Sequence, residues 1–339
     1  MKSTLLKLAV VSFVGMMGIV GCDSGKSFEP KEVLKLNTKV TSYNSKIIDQ
    51  SRYGATLEDG HFIDRYGISK ITLPKGFRYL NGSASQVLCS SDEVLKVIDR
   101  QSAKTFVDIN TSMPTVSASI HSNLVAYILS DNSLGIYDTK KHDILIQTQV
   151  GDSVAINTKA ASPIFVDNLA VMPMLDGKLV IVDISDLENT NVVYISSDAV
   201  FNNVIYLSRI KDTLVAATPT KVVTLGDVGE NEYATLISDV ALNKSNIYLF
   251  AKDGNIIKLD THLHTITSKK FDYARYSAVS AFGDKVVALD KNGALIVLNS
   301  TLSKYRIYDI DDVDNPVYIN GNKLYKDGQI IDLSLISYE

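Results

Sequence analysis

His262-Leu263-His264 would send two imidazoles from the same face of a β-strand, the arrangement with which a strand offers a metal ion paired nitrogen ligands. No third ligand lies nearby in the sequence, so the pair reads as solvated side chains on an outer strand. "DIDDVDNP", Asp309 to Pro316, has oxygens at alternating positions like a calcium loop. An EF-hand is excluded: Val313 takes the fifth position, Asp314 the sixth where glycine makes the turn, and Asn320 the twelfth where a bidentate Glu is needed. Cys89, in "QVLCSS", has no histidine or basic cluster beside it to draw off its proton, and reads as a small buried hydrophobe. Asn110 in "DINTS" fits the Asp/Glu-x-Asn-x-Ser/Thr acceptor pattern of bacterial N-glycosylation. The chain has no Gly-x-Ser-x-Gly elbow, Walker loop, His-Glu-x-x-His helix or close cysteine pair. A catalytic residue, a metal site and a cofactor are therefore not expected.

The stretch "KDGNIIKLD", Lys252 to Asp260, also gathers a lysine, two aspartates and an asparagine, but its outline recurs. Aligning the chain on a polar turn and a closing acid or amide finds eight copies, closing at Asp64, Asp99, Asp138, Asp183, Asp227, Asp260, Asn299 and Asp332. In the six middle copies the first turn residue stands seven before the closing one: Asp92, Asp131, Asp176, Thr220, Asp253 and Asn292. The end copies are shorter. Each copy is an apolar strand, a turn of the Asp-Gly kind whose residues tolerate positive φ, and a second strand. Another apolar strand precedes each hairpin, as in "TVSASI" and "SAVSAF", and a more variable one follows. Four strands per repeat of about 38 residues is the spacing of a propeller blade. Long helical periodicity is missing, and Val-Ile-Val runs around Asp-Gly turns oppose helical repeats. The expected fold is all-β: a β-propeller of eight four-stranded blades, with seven as the alternative because the last copy is compressed. The strand-like Glu32 to Asn37 is expected to pair with the C-terminal "DLSLISYE" and latch the ring.

The N-terminus explains where such a ring would work. Lys2 and Lys7 precede an apolar run, Leu8 to Val20, too short to span a bilayer as a helix, which marks an export signal. Ile19-Val20-Gly21-Cys22 resembles the lipobox of bacterial lipoproteins. The resemblance implies cleavage before Cys22, diacylglycerol on its thiol and acylation of its new amino group, giving stable anchoring through several acyl chains. The expected organisation is a signal peptide over 1–21, a lipidated Cys22 with a flexible tether over 22–32, and a propeller domain over 33–339. Asp23 resembles the inner-membrane retention signal of enteric bacteria, a rule that varies between lineages, so inner versus outer membrane stays open. The formal charge of −4 offers no polyanion-binding surface, and nucleic acid is not an expected partner.

The "DGxLxxLD" hairpins resemble those of the quinoprotein-like and YVTN-type propellers, and the plan of lipobox, tether and eight blades is similar to the BamB family of outer-membrane lipoproteins. That resemblance implies a monomeric, non-catalytic scaffold that binds other envelope proteins from the periplasmic side, in outer-membrane β-barrel assembly. The alternative is an accessory or sensor propeller for a periplasmic respiratory enzyme or small ligand. Related propellers carry Asp-Gly-x-x-x-Trp after the closing acid to dock the outer strand, and some stack a quinone cofactor on tryptophan. This chain has no tryptophan; "DTKKHDILI" and "DTHLHTITS" stand at the docking position instead. Outer-strand docking must be built differently, and a quinone site has nothing to stack on.

Overall fold

The computed structural model describes residues 26–152, 159–198, 201–226 and 229–339. The signal segment, Cys22 and the closing Asp227 lie outside the described residues. The described strands form eight sheets around a common axis, each entered from its innermost strand. Innermost strands are Ile47–Ser51, Arg78–Gly82, Thr115–His121, Ile164–Val166, Tyr206–Ile210, Ile237–Asn243, Tyr276–Phe282 and Tyr318–Asn320, which we number blades 1 to 8. Eight blades are therefore present, and the alternative of seven is set aside.

The compression of the last copy has a simple cause. Its own segment supplies only Tyr318–Asn320, Lys323–Lys326 and Gln329–Asp332; the fourth strand is Val40–Ser42, from the other end of the chain. Val40 pairs with Ile331, Thr41 with Ile330 and Ser42 with Gln329, antiparallel. The latch expected from Glu32 to Asn37 is thus displaced. Leu34–Lys35 runs parallel to Tyr308–Asp309 as a fifth strand on blade 7, while the C-terminal segment turns into a short 3-10 helix, Leu333–Leu335, with Leu333 buried. Upstream, Phe28 meets Phe271 edge-on at 5.9 Å, and Lys26 donates to the Tyr273 hydroxyl at 3.3 Å. The end of the segment assigned to a tether therefore lies on the ring.

Apolar side chains form eight clusters, each shared by two neighbouring blades. The one that closes the circle joins Ile47, Leu57 and Ile63 of blade 1 to Tyr318 and Tyr325 of blade 8. At roughly 2 kcal/mol for each large side chain buried, this cluster outweighs the three-residue latch, whose hydrogen bonds contribute about 1 kcal/mol each. The latch fixes register; burial closes the ring. Tyrosines help to pack neighbouring blades together. Tyr79 of blade 2 stacks on Phe62 of blade 1 at 4.7 Å, and Tyr276 of blade 7 packs edge-on against Phe250 of blade 6 at 5.6 Å. The Tyr276 hydroxyl donates to the Gly254 carbonyl at 2.7 Å.

Gly254 shows why the turns read Asp-Gly. Its φ is +86°, and Asp253 accepts the Asn255 amide at 3.0 Å. Its carbonyl also accepts the Phe271 amide at 2.9 Å, where the chain leaves blade 6 for blade 7. A Cβ at Gly254 would stand 2.0 Å from the Phe271 carbonyl oxygen, and one at Gly293, the matching turn of blade 7, 2.2 Å from that of Asp311. The glycine thus serves the turn and the passage between blades together. Gly254→Ala should lower unfolding stability by about 3 kcal/mol in denaturant titration, combining backbone strain with the clash. Gly283→Ala, where φ is +56° but no atom lies within 4 Å, should cost about 1 kcal/mol. Equal losses would show that the close passage carries no weight.

Candidate functional site

The residues that looked chemical in the sequence mostly hold turns. In every blade whose closing residue is described, its side-chain oxygen accepts backbone amides from the residues that follow it, which lead to the outer strand in all of these blades but the eighth. Asp99 takes the Ser102 amide at 2.8 Å, Asp138 that of Lys140 at 2.8 Å, and Asp183 that of Ser185 at 2.9 Å. Asp260 takes those of His262 and His264, Asn299 those of Ser303 and Lys304, Asp332 that of Ser334, and Asp64 that of Tyr66. In blades 3, 4 and 8 an asparagine just before the second strand, Asn123, Asn168 or Asn322, also donates to the closing acid. Hydrogen bonds, led by the Ser102 amide at Asp99, the Asn123 side chain at Asp138 and the Ser185 hydroxyl at Asp183, hold these carboxyls below the ordinary range.

His262 and His264 sit in this capped loop, not on a strand; Leu263 between them has φ +61° and a buried side chain. The rings stack 6.0 Å apart, and His264 Nδ1 lies 3.3 Å from Asp260. Asp309 to Pro316 is the connection from blade 7 to blade 8, with Ile310 buried and Asp309 accepting the Asp311 amide. Among the described residues no group of three or more His, Cys, Asp or Glu is placed to hold a metal. Cys89 is fully buried, and burial pushes its thiol up to about 12, leaving no thiolate to react. Asn110 ends the exposed outer strand of blade 2, its side chain accepting the Ser112 amide at 3.1 Å.

A different set of residues converges on the axis. Asp239 on the innermost strand of blade 6 pairs with Arg52 of blade 1 at 2.6 Å through one oxygen, and with Lys159 at 2.6 Å through the other. Arg52 and Asp239 side chains are only 11% and 10% exposed, and the guanidinium lies over the Tyr206 ring of blade 5, 4.6 Å from its centre. Burial would push the Asp239 carboxyl up; the two cations outweigh it and hold the group well below the usual range. One carboxylate thus ties segments 187 and 80 residues away across the axis. Around it lies a cavity of about 550 Å³, bounded by Arg52, Arg65, Tyr206, Asp239, Ser280 and Asn320 among others.

These residues gave a signal that sequence reasoning passed over. The innermost strands of blades 1, 3, 6 and 7 share a bulge after their first residue, which makes Asp49, Ser117, Asp239 and Ala278 equivalent positions. Two of the four are acids inside an otherwise apolar or hydroxyl pattern. Nothing local, however, announces their partners.

No family model matches the chain. Plasminogen-binding protein PgbB of Helicobacter pylori, from strains J99 and 26695, is 25% identical over an alignment covering 95% of this chain and 70% of the relative. Among solved structures, BamB from Moraxella catarrhalis superposes with a TM-score of 0.65 at 14% identity, covering 86% of this chain and 98% of BamB. The C-terminal WD40 domain of Sif2 superposes with a TM-score of 0.64 at 10% identity, covering 87% and 98%. The likeness is one of fold. The β-propeller read from the repeats is thus shared with BamB and with WD40 rings.

Asp239→Asn should lower stability by about 3–5 kcal/mol, since it leaves Arg52 buried without its counter-charge. Arg52→Met combined with Asp239→Leu should recover much of that loss in the same denaturant titration. Because the folded carboxyl titrates below its unfolded value, its stabilisation is complete above the ordinary carboxylate pKa and is lost as pH falls through the depressed one. The native chain should therefore lose more stability than Asp239→Asn on acidification below about pH 4. Parallel acid limbs would show that Asp239 contributes no linkage.

Proposed function

We propose that this chain is a lipid-anchored, periplasm-facing propeller that binds other proteins of the bacterial envelope. The observation that carries the reading is the use of its acids: the closing Asp and Asn residues cap loops, leaving a rigid ring whose outer strands stay exposed. Asp143–Gln149, Asp186–Tyr194 and Gly229–Ala234 present largely exposed edges of the kind an extended partner joins by strand addition. Leu34–Lys35 makes that addition intramolecularly on blade 7. The fold shared with BamB supports a role in outer-membrane β-barrel assembly. The export signal and the Cys22 lipobox support the anchor, and Asp23 leaves the choice of membrane to experiment.

A second reading has a specific observation behind it. The alignment with PgbB, whose name states that it binds plasminogen, runs along 95% of this chain, which makes plasminogen itself a partner to test. Cross-linked affinity purification from the native host should recover β-barrel assembly components, and deletion should lower outer-membrane protein levels. Saturable retention of plasminogen by the purified protein, with no assembly component recovered, would favour the second reading. Recovery of respiratory subunits alone would overturn both. Cys22→Ala should move the protein from the membrane to the soluble periplasmic fraction; unchanged fractionation would reject the anchor.

A further inference from the structure

The axis is basic in a chain whose formal charge is −4. Three adjoining cavities run along it, of about 550, 280 and 220 Å³. The first shares Gln50, Ser51 and Arg52 with the second, and Tyr53 and Arg65 with the third. Their charged side chains are Arg52, Arg65, Arg78 and Lys159 against Asp49 and Asp239, four cations to two acids. Arg52 and Lys159 share Asp239. Among the described residues neither Arg65 nor Arg78 forms an ion pair: Arg65 donates to the Gly82 carbonyl at 3.2 Å and Arg78 to that of Thr115 at 2.7 Å. A guanidinium has five N–H donors, so each retains capacity for an anion.

Each of these two arginines shares its cavity with a serine whose hydroxyl is buried without a hydrogen-bond partner. Arg65 and Ser119 line the cavity of about 220 Å³, Arg78 and Ser117 that of about 280 Å³. Ser117 is 4% and Ser119 9% exposed. A buried hydroxyl left unpaired costs free energy, and native proteins rarely tolerate it without a ligand or ordered water. The molecule therefore holds two related half-sites, an arginine that forms no direct ion pair beside an unsatisfied hydroxyl, joined through the central cavity; at the second, Asp49 also stands near Arg78. Each matches a carboxylate, which accepts a forked pair of bonds from a guanidinium and one more from a hydroxyl.

We propose that the axial channel binds a small dicarboxylate, one carboxylate at Arg65 and Ser119 and the other at Arg78 and Ser117. The surplus of two positive charges fits a dianion, and the partly enclosed site focuses the field that draws it in. The inference is independent of the anchor and of the protein partners proposed above. Asp49 Oδ2, buried without a partner beside Arg78, lies at the second half-site. Burial raises its carboxyl, and the Arg78 guanidinium beside it opposes that shift.

The test is calorimetric titration of the full-length protein in detergent with succinate, adipate and pimelate. Butyrate, with one carboxylate, and adipamide, the uncharged counterpart of adipate, serve as controls. At least one diacid should give saturable heat that weakens with added salt, with butyrate at least about tenfold weaker and adipamide silent. Arg65→Gln, whose side chain is exposed enough for the fold to accept the change, should weaken the diacid by about tenfold, as should Ser119→Ala to a lesser degree. Arg209→Gln, in a surface pair with Asp212, should leave binding unchanged. Absence of saturable heat for all three diacids, equal binding of adipamide, or undiminished binding by Arg65→Gln would each overturn the proposal.

Discussion

Each sheet of this protein has two apolar faces, and a flat sheet can shield neither by itself. Helices could cover them, but the chain forms none longer than a single 3-10 turn among its described residues. What remains is to pack sheet against sheet, and a row of sheets leaves its two end faces in water unless it bends into a circle. The eight interblade clusters are that solution. Everything else follows from the circle: an axis that must be lined by innermost strands, outer strands that must face solvent, and a seam where the first and last blades meet. The seam draws Tyr318 and Tyr325 to Ile47 and Leu57, and the crossed chain ends keep those side chains in register.

Much of the fold could be read from the sequence because the repeated unit is short and its turn chemistry is local. A glycine at positive φ, an acid that caps the next loop, and two apolar strands between them leave marks within about fifteen residues of one another. Blade number followed from counting closing residues. The latch was misplaced because Leu34–Lys35 and Val40–Ser42 are both short and exposed, so no buried face distinguishes the strand that enters blade 8 from the strand that adds to blade 7. The lack of tryptophan was legible, but not which tyrosine rings meet, because that depends on neighbouring blades. The axial charges were the hardest to see. Asp239 looks like an interruption in "ISDVALN", and its partners Arg52 and Lys159 lie in other blades, so only the closed ring makes the three a group.

The division of labour among charged residues is consistent. Acids that recur from blade to blade cap loops and serve the fold. Charges that do not recur, such as Asp239 on the innermost strand of blade 6 and Arg52 and Lys159 beside the innermost strands of blades 1 and 4, face the axis. Repetition thus separates what builds the ring from what individualises it, and the second class is where recognition of a ligand would reside. The tie at Asp239 also belongs to architecture: it draws blades 1 and 6 and the entry to blade 4 together across an opening that apolar side chains do not fill.

The N-terminal segment has one more consequence, which concerns force. Before entering blade 1 the chain passes Phe28 on Phe271, then Leu34–Lys35 along blade 7, then Val40–Ser42 along blade 8. Any pull applied upstream of residue 26 must be borne by these contacts in that order before it reaches the seam. Both strands are held by hydrogen bonds that run across the chain, so a pull along the strand direction loads several bonds together and resists peeling them singly. The two outer contacts work as a strain relief, like the clamp on a cable where it enters a housing. A ring held at one point could be tugged without opening.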